Sequence, residues 1–199
     1  MRYSVKPLHD RITVPPGGQF ATREKTVIST LLGSCVAVCL YDESAGVSGM
    51  NHFLLANRRY AKSMPLATTE AGSYGIQAME LLVNNMVKLG ASRARLKAKA
   101  FGGGHLFDTS CPDNFLCVGD VNRRFVKEYL AMEGIPLVSE DLGGESGRVI
   151  HFHTDTHQVF RRYIRTGTID EILREEHGFW EESILSHESP ESGAVTLFS

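Results

Sequence analysis

The stretch Gly33–Leu55, GSCVAVCLYDESAGVSGMNHFLL, decides how this chain folds. Cys35 to Tyr41 reads as an alternating strand in an apolar hairpin, and Val47 to Leu55 as the return strand. Asp42 to Gly46 between them is a turn by composition. The pair therefore reads as a hairpin, with a cysteine near one end and a histidine near the other. A four-residue loop, Asp42 to Ala45, sets Tyr41 against Gly46, Cys39 against Ser48, Ala37 against Met50 and Cys35 against His52. Directly opposed residues share a face, with Cβ atoms roughly 4.5 to 5.5 Å apart. A slip of one residue would send the histidine to the other face.

Upstream, residues 1–20 contain Pro7, Pro15 and Pro16 and read as irregular, apart from a short strand at Arg11 to Val14. Thr26 to Ser29 reads as another short strand before the corner LLGS. Downstream, residues 56–68 form a polar loop, and Thr69 caps a helix running to Leu89. Ile76, Met79, Leu82, Val83 and Met86 recur there at helical spacing, and Gly90 ends it. Arg95 to Ala100 is a strand leading into Phe101-Gly102-Gly103-Gly104, where backbone must turn sharply or approach something closely. Asp120 caps a second helix to Met132, and Ile135 to Val138 begins another strand. Residues 140–144 lead to a turn. Arg148 to Phe152 and Gln158 to Ile164 form a closing hairpin, and Ile169 to Glu176 a short amphipathic helix. The expected organisation is one domain over residues 1–178 and a flexible acidic tail over residues 179–199.

The chain has 199 residues, enough for one domain with a full core and short for two. Its formal charge of −2, from 21 basic and 23 acidic side chains, gives no electrostatic footprint for nucleic acid or an acidic lipid surface. No run of 18 apolar residues predicts a transmembrane segment, and the N-terminus lacks the apolar core of a secretory signal. The chain therefore reads as cytoplasmic, with its four cysteines reduced. Cys111 and Cys117 lie in a loop that leaves room for a disulfide. Cys35 and Cys39 share a face of one strand too far apart to bridge.

Three groups of residues could carry chemistry. The first is Cys35 with His52. A thiol needs a neighbouring base to become a thiolate, and acyl transfer needs peptide N–H groups aimed at the developing oxyanion. The corner before the strand, at Ser34 and Cys35, could supply those N–H groups. A third group must orient the imidazole; Ser29 and Thr30 are the candidates, while Asn51 alternates away. The plain alternative is a buried thiol and a strand-edge histidine, and Cys39 fits that description. The second group is HFHTDTH, in which His151 and His153 point the same way and His157 follows across a turn, with His105 and Asp155 as further ligands for a metal-dependent hydrolase. An exposed strand end is the simpler reading. The third is Gly102-Gly103-Gly104, which lacks the lysine and hydroxyl of a phosphate loop and reads as close backbone packing. Arg123, Arg124, Arg161, Arg162 and Arg165 read as a solvated face.

The residues Ser29 to Leu55, STLLGSCVAVCLYDESAGVSGMNHFLL, resemble the CheD family of chemoreceptor glutamine deamidases. The resemblance continues through ELLVNNMVKLGA at Glu80 to Ala91, KAFGGG at Lys99 to Gly104, and VGDVNRRFVKEYLAMEGIPLVSEDLGGESGRVIHFH at Val118 to His153. It implies an α+β fold: a β-sandwich-like core with flanking helices, resembling the catalytic domain of cytotoxic necrotizing toxin deamidases. It also implies Cys35 as nucleophile and His52 as catalytic histidine. The family's third residue is a threonine six positions before the cysteine, which is Ser29 here, with Thr30 beside it. The implied activity is that of a protein-glutamine glutaminase, needing no cofactor and no metal. The implied partners are methyl-accepting chemotaxis receptors and, for some members, a CheC-type phosphatase; without chemistry, the same partners would describe an adaptor. The histidines at 151, 153 and 157 and the acidic tail lie outside the family pattern.

Overall fold

In the computed structural model the hairpin forms the middle of a five-stranded sheet. The described residues are 11–55, 70–105, 118–164, 174 and 178. In chain order the elements are β1 (Arg11–Thr13), β2 (Gln19–Thr22), β3 (Val27–Leu32), β4 (Val36–Asp42), β5 (Val47–Phe53), α1 (Glu70–Lys88), β6 (Lys97–Gly102), α2 (Val118–Met132), β7 (Leu137–Leu142), β8 (Arg148–His153) and β9 (Val159–Tyr163). One sheet has the order β1-β3-β8-β9 and the other β2-β5-β4-β6-β7. The fold is α+β.

Two apolar layers hold it together. Ile28, Leu32, Ala37, Cys39, Met50, Phe101, Ile150 and Phe152 fill the space where the two sheets face each other. Val36, Val38, Leu40, Val47 and Phe53 point the other way, onto Met79, Leu82, Val83 and Met86 of α1 and Phe125, Val126 and Tyr129 of α2. Every residue of β4 is therefore buried. A strand covered on both faces has no polar side to alternate with, which is why its sequence is apolar from Val36 to Tyr41, up to the Asp42 that ends it.

The hairpin register differs from the expected one by two residues. The four-residue loop is 43–46, so Asp42 pairs with Val47 and Ala37 with His52. Asp42 stays in the strand because its Oδ1 accepts from the amides of Ser44, at 3.0 Å, and Ala45, at 3.1 Å. Gly46 closes the loop at φ +62°, a conformation that favours glycine. An even shift keeps each side chain on its expected face.

Three further differences concern short or polar elements. β2, four residues that pair with β5, begins in the stretch 1–20 expected to be irregular and runs on through residues 21–22, for which no element is expected. β7 extends to Leu142, into the residues 140–144 expected to lead to a turn, as a largely exposed edge strand parallel to β6. α2 is already helical at Val118, the first described residue there, so Asp120 lies inside the helix rather than at its cap. Thr69, the 56–68 loop, the expected 169–176 helix apart from residue 174, Cys111, Cys117 and the 179–199 tail fall outside the described residues. Among the described residues no helix is long and apolar enough to cross a membrane.

Candidate active site

Cys35 ends the bend Gly33–Cys35 between β3 and β4, and His52 is the penultimate residue of β5. In the observed register Cys35 lies two residues beyond the residue opposite His52, so both project into the layer between the sheets. Thr30 enters the same layer from β3 of the other sheet, and its Oγ1 lies 2.8 Å from His52 Nδ1.

That contact fixes the histidine's tautomer. Thr30 Oγ1 also lies 2.7 Å from the carbonyl oxygen of Val14, which can only accept. The single hydroxyl proton therefore goes to Val14, and the hydroxyl oxygen accepts from Nδ1–H of His52. The lone pair of the neutral ring then sits on Nε2, the nitrogen available as a base. Of the two hydroxyls considered for this position, Thr30 is the one beside His52. Ser29 occupies the opposite face of β3, where its Oγ lies 2.8 Å from His151 Nδ1.

The site is closed. Cys35, His52 and Thr30 expose 0%, 1% and 2% of their surface. A cavity of about 620 Å³ lies elsewhere, lined by His105, Asp120, Arg123, Lys127, Glu140 and Leu142 among others, and none of the three residues borders it. Tyr74 of α1 is an electrostatic neighbour of Cys35: burial pushes its phenol pKa up, and the charge of a Cys35 thiolate pushes it further the same way. Cys39, deeper on the same face, has its thiol pushed up by burial, against a smaller opposing pull from Lys99. Neither cysteine is in a disulfide.

The bend bearing Cys35 is held through all three of its carbonyls. Gly33 accepts from the amide of Gly104 at 2.8 Å, and Cys35 accepts from Gly103 at 2.7 Å. Ser34 accepts from Asn122 Nδ2 of α2 at 3.0 Å. This is the use of the glycine run. A Cβ on Gly102, whose φ is +108°, would stand 2.2 Å from the Cys35 carbonyl oxygen. Arg123, expected on a solvated face, instead donates to the Gly103 carbonyl at 2.9 Å and pairs with Asp120.

The histidines of HFHTDTH are occupied separately. His151 faces Ser29; burial and then the charges of Arg11, His153 and Arg162 push its pKa down. His153 meets the edge of Phe160 at 5.1 Å between ring centroids. His157 stacks on Tyr41 at 4.3 Å. His105 lies 3.1 Å from Asp120. Among the described residues no three His, Cys, Asp or Glu side chains are grouped to hold a metal ion.

Comparison with family models and with curated sequences gives one family. The model of the family described as CheD chemotactic sensory transduction matches residues 54–163. A Geobacter sulfurreducens protein named "Probable chemoreceptor glutamine deamidase CheD 1" is 52% identical over 178 residues, 89% of either chain. A Shewanella oneidensis protein named "Probable chemoreceptor glutamine deamidase CheD 2" is 47% identical over 77% of this chain and 76% of its own. Among solved structures, the Bacillus licheniformis protein YfiH overlaps 64% of this chain and 50% of its own, with a TM-score of 0.36 and 16% identity. The family match takes in more than half of the residues and the relatives span most of them: the chain belongs to the CheD family.

Proposed function

We propose that this protein is a chemoreceptor glutamine deamidase, a protein-glutamine glutaminase that converts glutamines of methyl-accepting chemotaxis receptors to glutamates. The observation that carries the reading is the placement of Cys35 and His52 on one inward face, with Thr30 holding the ring in the tautomer a base requires. The relatives' names point to the same substrate.

In this mechanism His52 Nε2 takes the proton from Cys35. The thiolate attacks the carbon of the glutamine carboxamide, and the negative charge on its oxygen is met by amides at the Ser34–Cys35 bend. His52 returns the proton to the nitrogen as the C–N bond breaks, and ammonia leaves. Water, deprotonated by the same imidazole, attacks the thioester carbon; the carboxylate forms and the thiol is regenerated. The steps balance without a metal or organic cofactor. Because Cys35 and His52 are buried, the carboxamide reaches the sulfur only after the protein opens over it. The new carboxylate changes the charge on a receptor helix and hence its packing against neighbours.

Two finer readings belong with this one. The α+β core is the arrangement expected if the domain is related to the catalytic domain of cytotoxic necrotizing toxins, and a CheC-type phosphatase is the second partner to test.

The decisive experiment incubates the protein with a receptor cytoplasmic fragment and follows conversion of glutamine to glutamate by mass spectrometry. The parent should convert specific glutamines and Cys35→Ala should convert none. Receptor binding without conversion by the parent would mark it as an adaptor instead. Conversion that survives Cys35→Ala but fails with chelator and with His151→Ala would hand the chemistry to the histidine cluster.

A further inference from the structure

Asn122 is the polar side chain that ties the two catalytic strands together from outside the sheet. It is fully buried on α2. Its Nδ2 donates to the Ser34 carbonyl at 3.0 Å, and its Oδ1 accepts from the Leu55 amide at 2.8 Å. Ser34 immediately precedes the nucleophile, and Leu55 follows His52 by three residues on the same chain segment. One carboxamide thus spans the Cys35 bend and the exit of the histidine strand.

The geometry at Ser34 has a chemical consequence. A trans peptide is planar, with its C=O and N–H pointing in opposite directions. Drawing the Ser34 carbonyl toward α2 therefore aims the N–H of Cys35 away from α2, and the same peptide plane sets the start of the Cys35 side chain. The Gly103 and Gly104 amides hold the flanking carbonyls.

We propose that Asn122 is a positioning residue of the deamidase: it sets the orientation of the Ser34–Cys35 peptide, and with it the oxyanion donor and the sulfur, relative to His52. This rests on the functional reading above. Asn122 touches no reacting atom in that mechanism; it acts through the peptide it holds.

Asn51 supplies an internal control. It too is buried, and it too bridges a strand of the same sheet to a helix, accepting from the Val38 amide at 3.1 Å and donating to the Ala78 carbonyl at 3.3 Å. Its side chain faces α1 rather than the catalytic layer. Asn122→Ala and Asn51→Ala should both lower the melting temperature. Asn122→Ala should cut kcat on the receptor fragment by on the order of 10²-fold, the scale of a small misplacement at a reacting centre, with KM little changed. Asn51→Ala should keep kcat within a few-fold of the parent.

Asn122→Asp sharpens the test and guards against loss of folding. An aspartate can still accept from Leu55, but it can donate to Ser34 only while protonated, and burial raises a carboxyl's pKa. Its kcat relative to the parent should therefore be close to one at low pH and fall as pH rises. A receptor-free readout accompanies these assays. The Cys35 amide and His52 ring ¹⁵N signals should move in Asn122→Ala and stay put in Asn51→Ala.

The proposal is overturned if Asn122→Ala and Asn51→Ala lose equal stability and shift kcat and the Cys35 and His52 signals alike, or if the Asn122→Asp ratio does not vary with pH. Deamidation that survives Cys35→Ala would overturn the functional reading, whatever the Asn122 variants do.

Discussion

At the scale of single residues, the histidine's tautomer is the most consequential detail. Thr30 can hold Nδ1–H only because Val14 takes its own proton. Thr30→Val removes the acceptor and leaves two buried polar groups short of a partner. It should lower the deamidation rate by about 10²-fold, the lower end of what a positioned base contributes, and cost about 2 kcal/mol in denaturant titrations. Thr30→Ser should recover most of both. Cys39 gives the opposite expectation. Its thiol sits deep among apolar neighbours with its ionisation suppressed, so Cys39→Ala should keep the rate of ammonia release while lowering stability by about 1 kcal/mol. The sequence made Cys35 and His52 visible because period-two alternation across a hairpin is a local rule. It left Ser29 and Thr30 open because the choice depends on which face of β3 meets the other sheet. Asn122 carried no signal at all: a lone asparagine within a helix reads as surface until α2 is packed on the hairpin.

At the scale of elements, the hairpin turn and the glycine run carry the tests. Burial alone would raise the Asp42 carboxyl, but the Arg95 side chain and the amides of Ser92 and Ala45 outweigh it and hold the pKa at about 2, below the ordinary 3.8. A carboxyl lowered on folding contributes its full stability above its unfolded pKa, near 4, and loses it as pH falls toward 2. Asp42→Asn should therefore cost about 2 kcal/mol at neutral pH, and its melting curve should converge with the parent's as the solution is acidified. Gly102→Ala would force a Cβ against the Cys35 carbonyl in a backbone conformation that favours glycine. It should lower stability by about 3 kcal/mol and abolish activity with it, checked by circular dichroism beside the ammonia assay. The longer elements were legible in the sequence: α1 from its apolar spacing, β4 and β5 from their composition. The hairpin's pairing was off by two because Asp42 serves as both last strand residue and turn acceptor, a double role that composition does not show. β2 and the extension of β7 beyond Val138 escaped because edge strands this polar owe their conformation to the neighbour they pair with.

At the scale of the whole molecule, the two sheets are joined at one end through Arg148. It starts β8 in one sheet, lies completely buried, and donates to the carbonyl of Asp141 at the end of β7 in the other. It also donates to the Gly143 carbonyl and pairs with the Asp141 carboxylate at 3.1 Å. Removing the guanidinium strands those acceptors, so Arg148→Ala should lower the unfolding free energy by about 3 kcal/mol, read from the shift in denaturant midpoint. The same sandwich that this arginine closes also hides the sulfur. A cysteine with no surface in water gives peroxide and small electrophiles nothing to strike, since oxidation of thiols follows their accessibility. The resting protein should thus survive an oxidant dose that inactivates it once receptor is present, and selectivity among glutamines would come from which helices can pry the two layers apart rather than from the reactivity of the thiol.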